Sequence, residues 1–345
     1  MIPKNIFITY NDDAYVRKGE LDDIISLQGV VDTADSVKKA IEENGIAPKL
    51  VPLKDDPEDF IKMLRHGAPD IIFNLCEGAF GLSSMEMNVA GLYELFGFRY
   101  TGSGPLTLGL SLNKETAKNI LYARGIPTPK YAVIGDIKSL SSVSISFPLI
   151  VKPVHEDAGI GIDNNAVVWD ITSLKKRIEY IIDIYKQPAL VEEYIDGREF
   201  NVSVIGNETP NVLPVSEIDF SELPMDIPKI VGYEAKWITT SPLYKKTVPV
   251  CPANISKDIE EKLSCTAIKA YKALGCRDYA RIDIRMGNDN MPKVLEVNPN
   301  PDISPDAGLA RSALAAGFSY SKLICEIINC AVKRYDGTDK KFFKP

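Results

Sequence analysis

Only two histidines, His66 and His155, occur in the 345 residues, which leaves a multi-histidine zinc site or a histidine-based triad without its ligands. The six cysteines (Cys76, Cys251, Cys265, Cys276, Cys325, Cys330) contain no CxxC pair and follow no secretory signal, so reduced thiols packed as small apolar groups in the cytosol are expected. No apolar run approaches the ~20 residues that span a bilayer. No cluster of Lys and Arg offers the concentrated positive charge that a nucleic-acid backbone requires. A membrane or nucleic-acid partner is therefore not expected. What remains is an ordinary globular composition, 45% hydrophobic and 25% charged with a formal charge of −7. A chain of this length more naturally forms two or three subdomains than one, and its chemistry is expected to concern small molecules in the cytoplasm.

The first third alternates short apolar runs with helical patterns. "NIFITY", "APKLVPL" and "PDIIFNL" read as buried strands, and "TADSVKKAIEENG" and "PEDFIKMLRHG" as helices ended by Gly45 and Gly67. Such alternation indicates a parallel sheet, which binds ligands beyond the carboxyl ends of its strands and so draws attention to Glu77 and Gly78. Residues 82–125 read as helical, interrupted by "YTGSGP". From about Pro127 the runs "SFPLIVKP", "PALVEEYI", "REFNVSVIG" and "TPNVLPVSEI" suggest antiparallel sheet, with a helix over 171–185. A second mixed unit follows, with helices expected over 256–274, 307–316 and 319–334, and a polar tail over 336–345 that is expected to fray.

One stretch is out of keeping with a plain core. "YARIDIRMGNDNMPKVLEVNPNP" places Arg281 and Asp283 on one face of a strand, and Glu296 and Asn298 on one face of the next, joined by the turn signal "GNDN". If the turn centres between Asp289 and Asn290, Asp283 lies across from Glu296 and Arg281 from Asn298. Two facing carboxylates repel unless a cation or a proton relieves them, and carboxylates with an amide carbonyl make an oxygen set suited to Mg²⁺. Arg281 is no metal ligand, but its charge suits an anion shared with the ion. Singly, each of these residues reads as a salt-bridged group on a solvated sheet face; four together argue for a site.

With that stretch in place, the sequence resembles the ATP-grasp superfamily, specifically the D-alanine–D-alanine ligase branch of carboxylate–amine ligases. The likeness runs in order through "YTGSGPLTLGLSLNKETAKNILYARGIPTP", "FPLIVKPVHEDAGIGI", "LVEEYIDGREFNVSVIG", "YEAKWI", the hairpin and "ALAAGFSYSKLI". It implies an α/β (α+β) ATP-grasp fold: an N-terminal parallel-sheet domain (1–110), a subdomain with a glycine-rich loop (111–206, its small central part from about 127), a C-terminal subdomain with the metal site (207–335), and the tail. The two later subdomains would clasp ATP. Lys114, Lys152 and Lys236 would contact phosphates, under a loop from Glu156 through Gly159 to Gly161. Glu192, Glu193 and Ile195 would line the adenine pocket, and Glu199 would hold the ribose. Asp283, Glu296 and Asn298 would bind two Mg²⁺ ions, for which Mn²⁺ could substitute, and Arg281 would stabilise a tetrahedral intermediate. The implied reaction activates a carboxylate as an acyl phosphate, which an amine attacks, releasing ADP and phosphate. A homodimer is also implied.

The departures fall on the substrate side. The family's early loop is replaced by "YNDDAYVRKGELDD", its histidine–glycine motif by "NLCEG", and a serine of the glycine-rich loop by Ala158. The segment that receives a substrate carboxylate becomes "PDISPDAG", placing Asp302, Ser304, Asp306, Ala307 and Gly308 there, with Ala307 and Gly308 where a serine–leucine pair is usual. With Glu77 nearby, this suggests amino-acid or peptide substrates other than D-alanine, with a cationic or larger amine. A small-molecule phosphotransferase and a non-catalytic nucleotide-binding protein are the alternatives.

Overall fold

The computed structural model describes residues 3–13, 24–157 and 159–337. Most of "YNDDAYVRKGELDD", Ala158 and nearly all of the tail lie outside these residues. The chain opens with β1 (Ile6–Asn11), α1 (Ile24–Glu42), β2 (Lys49–Leu53), α2 (Pro57–Gly67) and β3 (Ile71–Asn74). As expected, these strands form a parallel sheet, in the order β2-β1-β3. All of β1 and β3 is buried, because helices cover both faces. α2 occupies the expected residues, with Asp56 accepting from the Glu58 N–H at 2.8 Å and Pro57 in the first turn. By contrast, α1 begins at Ile24, upstream of the expected start at Thr33. Gly29 discourages a helix there, but Val30, Ala34, Val37 and Ile41 recur at helical spacing and join the core, and that burial outweighs one poor helix former.

Three helices follow: α3 (Glu86–Leu95), α4 (Pro105–Leu112) and α5 (Lys114–Ala123). A four-stranded antiparallel sheet comes next, built from β4 (Tyr131–Ile134), β5 (Leu149–Pro153), β6 (Val167–Val168) and β7 (Ala189–Glu193) in the order β4-β7-β5-β6. The amphipathic α6 (Ile171–Tyr185), opened by a capping box at Asp170 and Ser173, packs Leu174, Ile178 and Ile181 into its core.

The largest sheet contains β8 (Arg198–Ile205), β9 (Asn211–Val212), β10 (Ser216–Asp219), β11 (Val248–Val250), β12 (Tyr279–Met286) and β13 (Pro292–Asn298). Its path is β11-β10-β8-β12-β13, with β9 also on β8. β8 lies within the expected 111–206 segment, yet it hydrogen-bonds along its length to β12. The short α7 (Tyr233–Trp237) and α8 (Pro242–Lys246) precede β11. On one face Phe200, Val202, Ile282, Ile284 and Val294 pack with α5 and with α9 (Lys257–Ala273). The alternation that buries these residues turns Glu199, Asn201, Arg281, Asp283 and Arg285 to the other face. α10 (Gly308–Ala315) and α11 (Tyr320–Gly337) close the chain, and α11 packs with α1 beside the parallel sheet. No helix among the described residues is long and apolar enough to cross a membrane.

Asp278, fully buried, ties the sheets together. Its carboxylate accepts from Gly102 N–H at 2.9 Å, Asn207 Nδ2 at 3.0 Å, and Arg334 Nε and Nη2 at 3.1 and 2.8 Å. Asp278→Ala removes the fully buried partner of the half-buried Arg334 guanidinium and leaves Gly102 N–H and Asn207 without their acceptor, and is expected to cost about 3 kcal/mol in chemical denaturation; a loss below about 1 kcal/mol would remove it from this structural role.

Candidate functional site

The hairpin pairs as its alternation requires, with Arg281 opposite Asn298 and Asp283 opposite Glu296. The register then shifts by one, so that Ile284 pairs with Val294 and Met286 with Pro292. Leu295 is the extra residue, and the turn-proximal arm is centred on Asp289 rather than between Asp289 and Asn290. The bulge keeps Val294 in the apolar core while Glu296 and Asn298 stay on the polar face.

On that face Asp283 is the most heavily engaged group. Its Oδ1 accepts from Arg281 Nε at 2.8 Å and Asn201 Nδ2 at 2.7 Å; its Oδ2 accepts from Arg281 Nη2 at 2.8 Å and Asn298 Nδ2 at 3.0 Å. The charge expected to wait for an anion is therefore turned onto the neighbouring carboxylate, and Arg281 relieves the repulsion between Asp283 and Glu296. Burial would raise the Glu296 carboxyl, but Lys114, Lys152 and Arg281 outweigh it and hold the group at about 2. Lys114 Nζ lies 3.7 Å from Glu296 Oε2. Two carboxylates and the Asn298 amide oxygen fit Mg²⁺ by donor type. Two details constrain that fit. An ion on Asp283 must displace at least one of its four donors. Among the described residues no three His, Cys, Asp or Glu side chains gather to hold a metal, so an ion here would need ligand oxygens to complete its shell.

Beside this face lies a buried triad. Glu192, only 1% exposed, bridges Lys118, with which it forms a short ion pair, and Lys152 Nζ at 2.5 Å. Burial alone would raise its pKa; the two ammonium groups reverse the sign and keep it ionised. Lys114, at the start of α5, contacts Asp157 Oδ1 at 2.7 Å and the Glu156 carbonyl. Glu193 meets Lys293 Nζ at 3.3 Å, and Glu199 takes Arg285 Nε and Nη2 at 3.0 and 2.7 Å. The Ile195 carbonyl accepts from Arg285 Nη1 at 2.8 Å. Gly159 and Gly161 are in the left-handed region, and a Cβ on Gly161 would sit 2.6 Å from Pro153 Cγ. The turn they make docks on α7 through Tyr233 N–H to Ile162 O at 2.9 Å, three residues before Lys236.

The remaining expected residues divide. Glu77 follows β3, its N–H donating to Asn11 Oδ1 at 3.0 Å; burial and Asp302 raise its carboxyl to about 8, against Lys236 and Arg281. Burial and Arg281 lower Lys236, against Asp302 and Glu77. Asp302, Lys236, Arg281 and Glu77 thus lie within one another's electrostatic reach. Ser304 is committed to a local turn, donating its N–H and Oγ to Asp302 Oδ1 at 2.9 and 2.8 Å. Asp306 is exposed on the rim, where its carbonyl accepts from Arg311 Nη2 at 2.6 Å. Ala307 is the N-cap of α10 and offers no side-chain cap, while the Cβ position of Gly308 is 3.6 Å from Arg281 Cδ.

Several participants were missed in the sequence. Lys118 lies four residues after Lys114, on the face of α5 that buries Ala117 and Leu121, a placement unusual enough to have flagged it. Asn201 shares its face with Glu199, a polar alternation in "REFNVSVIG" that matches the one noticed in β12. Glu86 and Asn300 carried no signal. Asn300 joins distant segments, donating to Glu86 Oε1 at 2.9 Å and accepting from Tyr279 Oη at 2.9 Å.

Comparison with known proteins agrees with this arrangement. Residues 120–329 match the family model described as D-ala D-ala ligase C-terminus. A D-alanine--D-alanine ligase of Carboxydothermus hydrogenoformans is 32% identical over 305 residues, 86% of this chain and 91% of that protein. A protein of Sinorhizobium fredii designated y4sG is 35% identical over 311 residues, 88% of each chain. The crystal structure of the D-alanine--D-alanine ligase of Bacillus anthracis complexed with ATP superposes with a TM-score of 0.75 at 23% identity, covering 97% of this chain and 99% of that one. That last likeness establishes the ATP-grasp fold.

The half-buried Glu86 yields a test of the site's electrostatics. Burial raises its carboxyl from 4.5 to about 8, opposed by the hydrogen bond from Asn300. A carboxyl that binds its proton more tightly folded than unfolded makes the native state lose stability as pH rises through that window. Glu86→Gln keeps an acceptor for Asn300 and is expected to gain on the order of 2 kcal/mol over the parent near pH 9, with little difference near pH 4. Denaturant midpoints at the two pH values measure this, and equal differences at both would contradict it.

Proposed function

The chain belongs to the D-alanine–D-alanine ligase family, and from that premise we propose that it is an ATP-dependent carboxylate–amine ligase working through an acyl phosphate. The observation that carries this reading is the gathering of Arg281, Asp283 and Glu296 on one sheet face, with Lys114 of α5 reaching to 3.7 Å from Glu296. Bound ATP and Mg²⁺ supply phosphoryl transfer under charge neutralisation. Asp283, Glu296 and Asn298 would hold the metal. Lys114, Lys152 and Lys236 would meet the phosphates, with the loop from Glu156 through Gly159 to Gly161 closing over them. Glu192, Glu193 and Ile195 would border the base and Glu199 the ribose. Arg281, released from Asp283, would stabilise the oxyanion formed as the amine attacks. Positioning and charge are what such a reaction demands, so the scarcity of histidine is no obstacle.

The substrates differ, in this reading, from a pair of D-alanines. Ala307 brings no hydroxyl to the N-terminus of α10, and Asp302 adds a carboxylate beside Lys236. We retain the division into an N-terminal domain and two ATP-grasp subdomains, with β8 assigned to the C-terminal sheet it completes. A phosphotransferase that leaves the phosphoryl group on its substrate is not favoured, since the relative from Carboxydothermus hydrogenoformans is a D-alanine--D-alanine ligase.

An ADP-release screen over pairs of D- and L-amino acids, followed by product mass, tests the proposal: ADP and an amide are expected in equal amounts. A phosphorylated product, or no turnover across the panel, would count against it. Arg281→Ala is expected to lower kcat by about 100- to 1,000-fold. Glu296→Gln should lose at least about 100-fold, and a variant that keeps full ATP turnover would overturn the metal assignment.

A further inference from the structure

Three carboxyl groups stand at the acceptor side, and two are occupied. Asp302 Oδ1 serves the turn at Ser304, and Glu86 Oε1 is held by Asn300 at 2.9 Å. Among the described residues the Glu77 carboxylate has neither a hydrogen bond nor an ion pair, although its backbone is firmly placed. Its N–H is held by Asn11, Leu75 N–H donates to Thr9 O at 2.8 Å, and a Cβ on Gly78 would lie 2.8 Å from Leu82 O, so the chain leaves β3 through a tight turn. This is the carboxyl end of a parallel strand, where such sheets bind ligands. A second unsatisfied group lies nearby: the Tyr320 hydroxyl is buried with no hydrogen-bond partner among the described residues, in the field of Asp302.

Building on the ligase reading above, we propose that Glu77 is the residue that receives the ammonium group of the acceptor substrate and takes a proton from it. An ammonium ion cannot attack a carbonyl carbon, because its lone pair is spent on the proton. Transfer of one proton to the Glu77 carboxylate leaves a neutral amine and a neutral carboxylic acid. The amine forms the C–N bond, the bond from the acyl carbon to the phosphate oxygen breaks, and the second nitrogen proton leaves with the phosphate as hydrogen phosphate. Charge around Glu77 is arranged for this exchange. Asp302 and Asp157 raise its proton affinity, while Lys236 and Arg281 oppose them; Glu86 and Tyr279 also lie in its field. With its carboxyl at about 8, the free chain holds Glu77 largely protonated near pH 7; an arriving ammonium group favours the ionised form, which is then a stronger proton acceptor than an exposed glutamate. A histidine at this position, as in the family motif, would carry no negative charge with which to attract an ammonium group.

Hydroxylamine separates this role from the rest of the reaction, because it is mostly uncharged at neutral pH and traps acyl phosphates as hydroxamates without deprotonation of an ammonium group. The wild-type chain and Glu77→Gln are each given ATP, Mg²⁺ and single D- or L-amino acids as carboxylates. The nucleophile is hydroxylamine in one series and an ammonium-bearing amino acid, methylammonium or putrescine in the other. At neutral pH the ratio of amide to hydroxamate is expected to fall about 100-fold in Glu77→Gln, with partial recovery at high pH and in Glu77→Asp. An unchanged ratio overturns the assignment of Glu77 while leaving the ligase reading intact, and so does equal loss of both products. No hydroxamate from the wild-type chain with any carboxylate would defeat the ligase reading, and this inference with it.

Discussion

The site depends on a carboxylate that has no access to water. Glu192 on β7 lies between Lys118 from α5 and Lys152 from β5, and all three are buried. No one of these charges is tolerable there without the others, so the pairing obliges the helix and the two strands to meet in one arrangement. Lys114 is one turn ahead of Lys118 on the same helix, so fixing Lys118 also fixes where Lys114 can reach. It reaches the Glu156 carbonyl and Asp157 of the glycine-rich loop, and Glu296 across the site. A contact inside the small sheet thereby sets the distance to the carboxylates of the large one.

Around that fixed point the charges separate into two regions. On the side of the small sheet, Lys114, Lys118 and Lys152 outnumber Glu192, and Lys114 and Lys152 together with Arg281 hold Glu296 ionised, a charge pattern that suits polyanions and a hard cation together. In the other region Glu77 lies in the field of Asp302, Lys236 and Arg281, and Glu86 in that of Glu77 and Asp157; both carboxyl groups are pushed up to about 8. Arg281 stands at the boundary. In this structure its guanidinium neutralises Asp283, so a metal and a transition state would have to compete for partners that already satisfy one another. The same residues can serve both states because a bidentate pair on adjacent positions of one strand face can open without moving the backbone.

Much of the fold was legible because its signals are local. Buried parallel strands read as apolar runs, α6 and α2 carried their caps, and the hairpin's facing pairs followed from alternation and one turn. The bulge at Leu295 was not legible, because a single unpaired residue leaves the polar pattern on each strand intact. The early start of α1 was hidden by Gly29, since what favours the added turns is burial of Val30 in a core completed by segments as far off as α11, nearly 300 residues away in the chain. Lys118, Asn201, Glu86 and Asn300 matter through partners on other elements, and no spacing rule links Asn300 to Glu86.

The sequence by itself determined which residues alternate onto the polar face of the hairpin, and the order of the motifs that carry the family likeness, because strand alternation and turn chemistry act over a few residues. Only the tertiary structure decided which charges meet. It turned Arg281 onto Asp283, placed Glu192 between two lysines and left Glu77 without a partner among the described residues. Those outcomes follow from burial, which makes every charge depend on whatever other elements bring within reach, and that is a property of the assembled sheets.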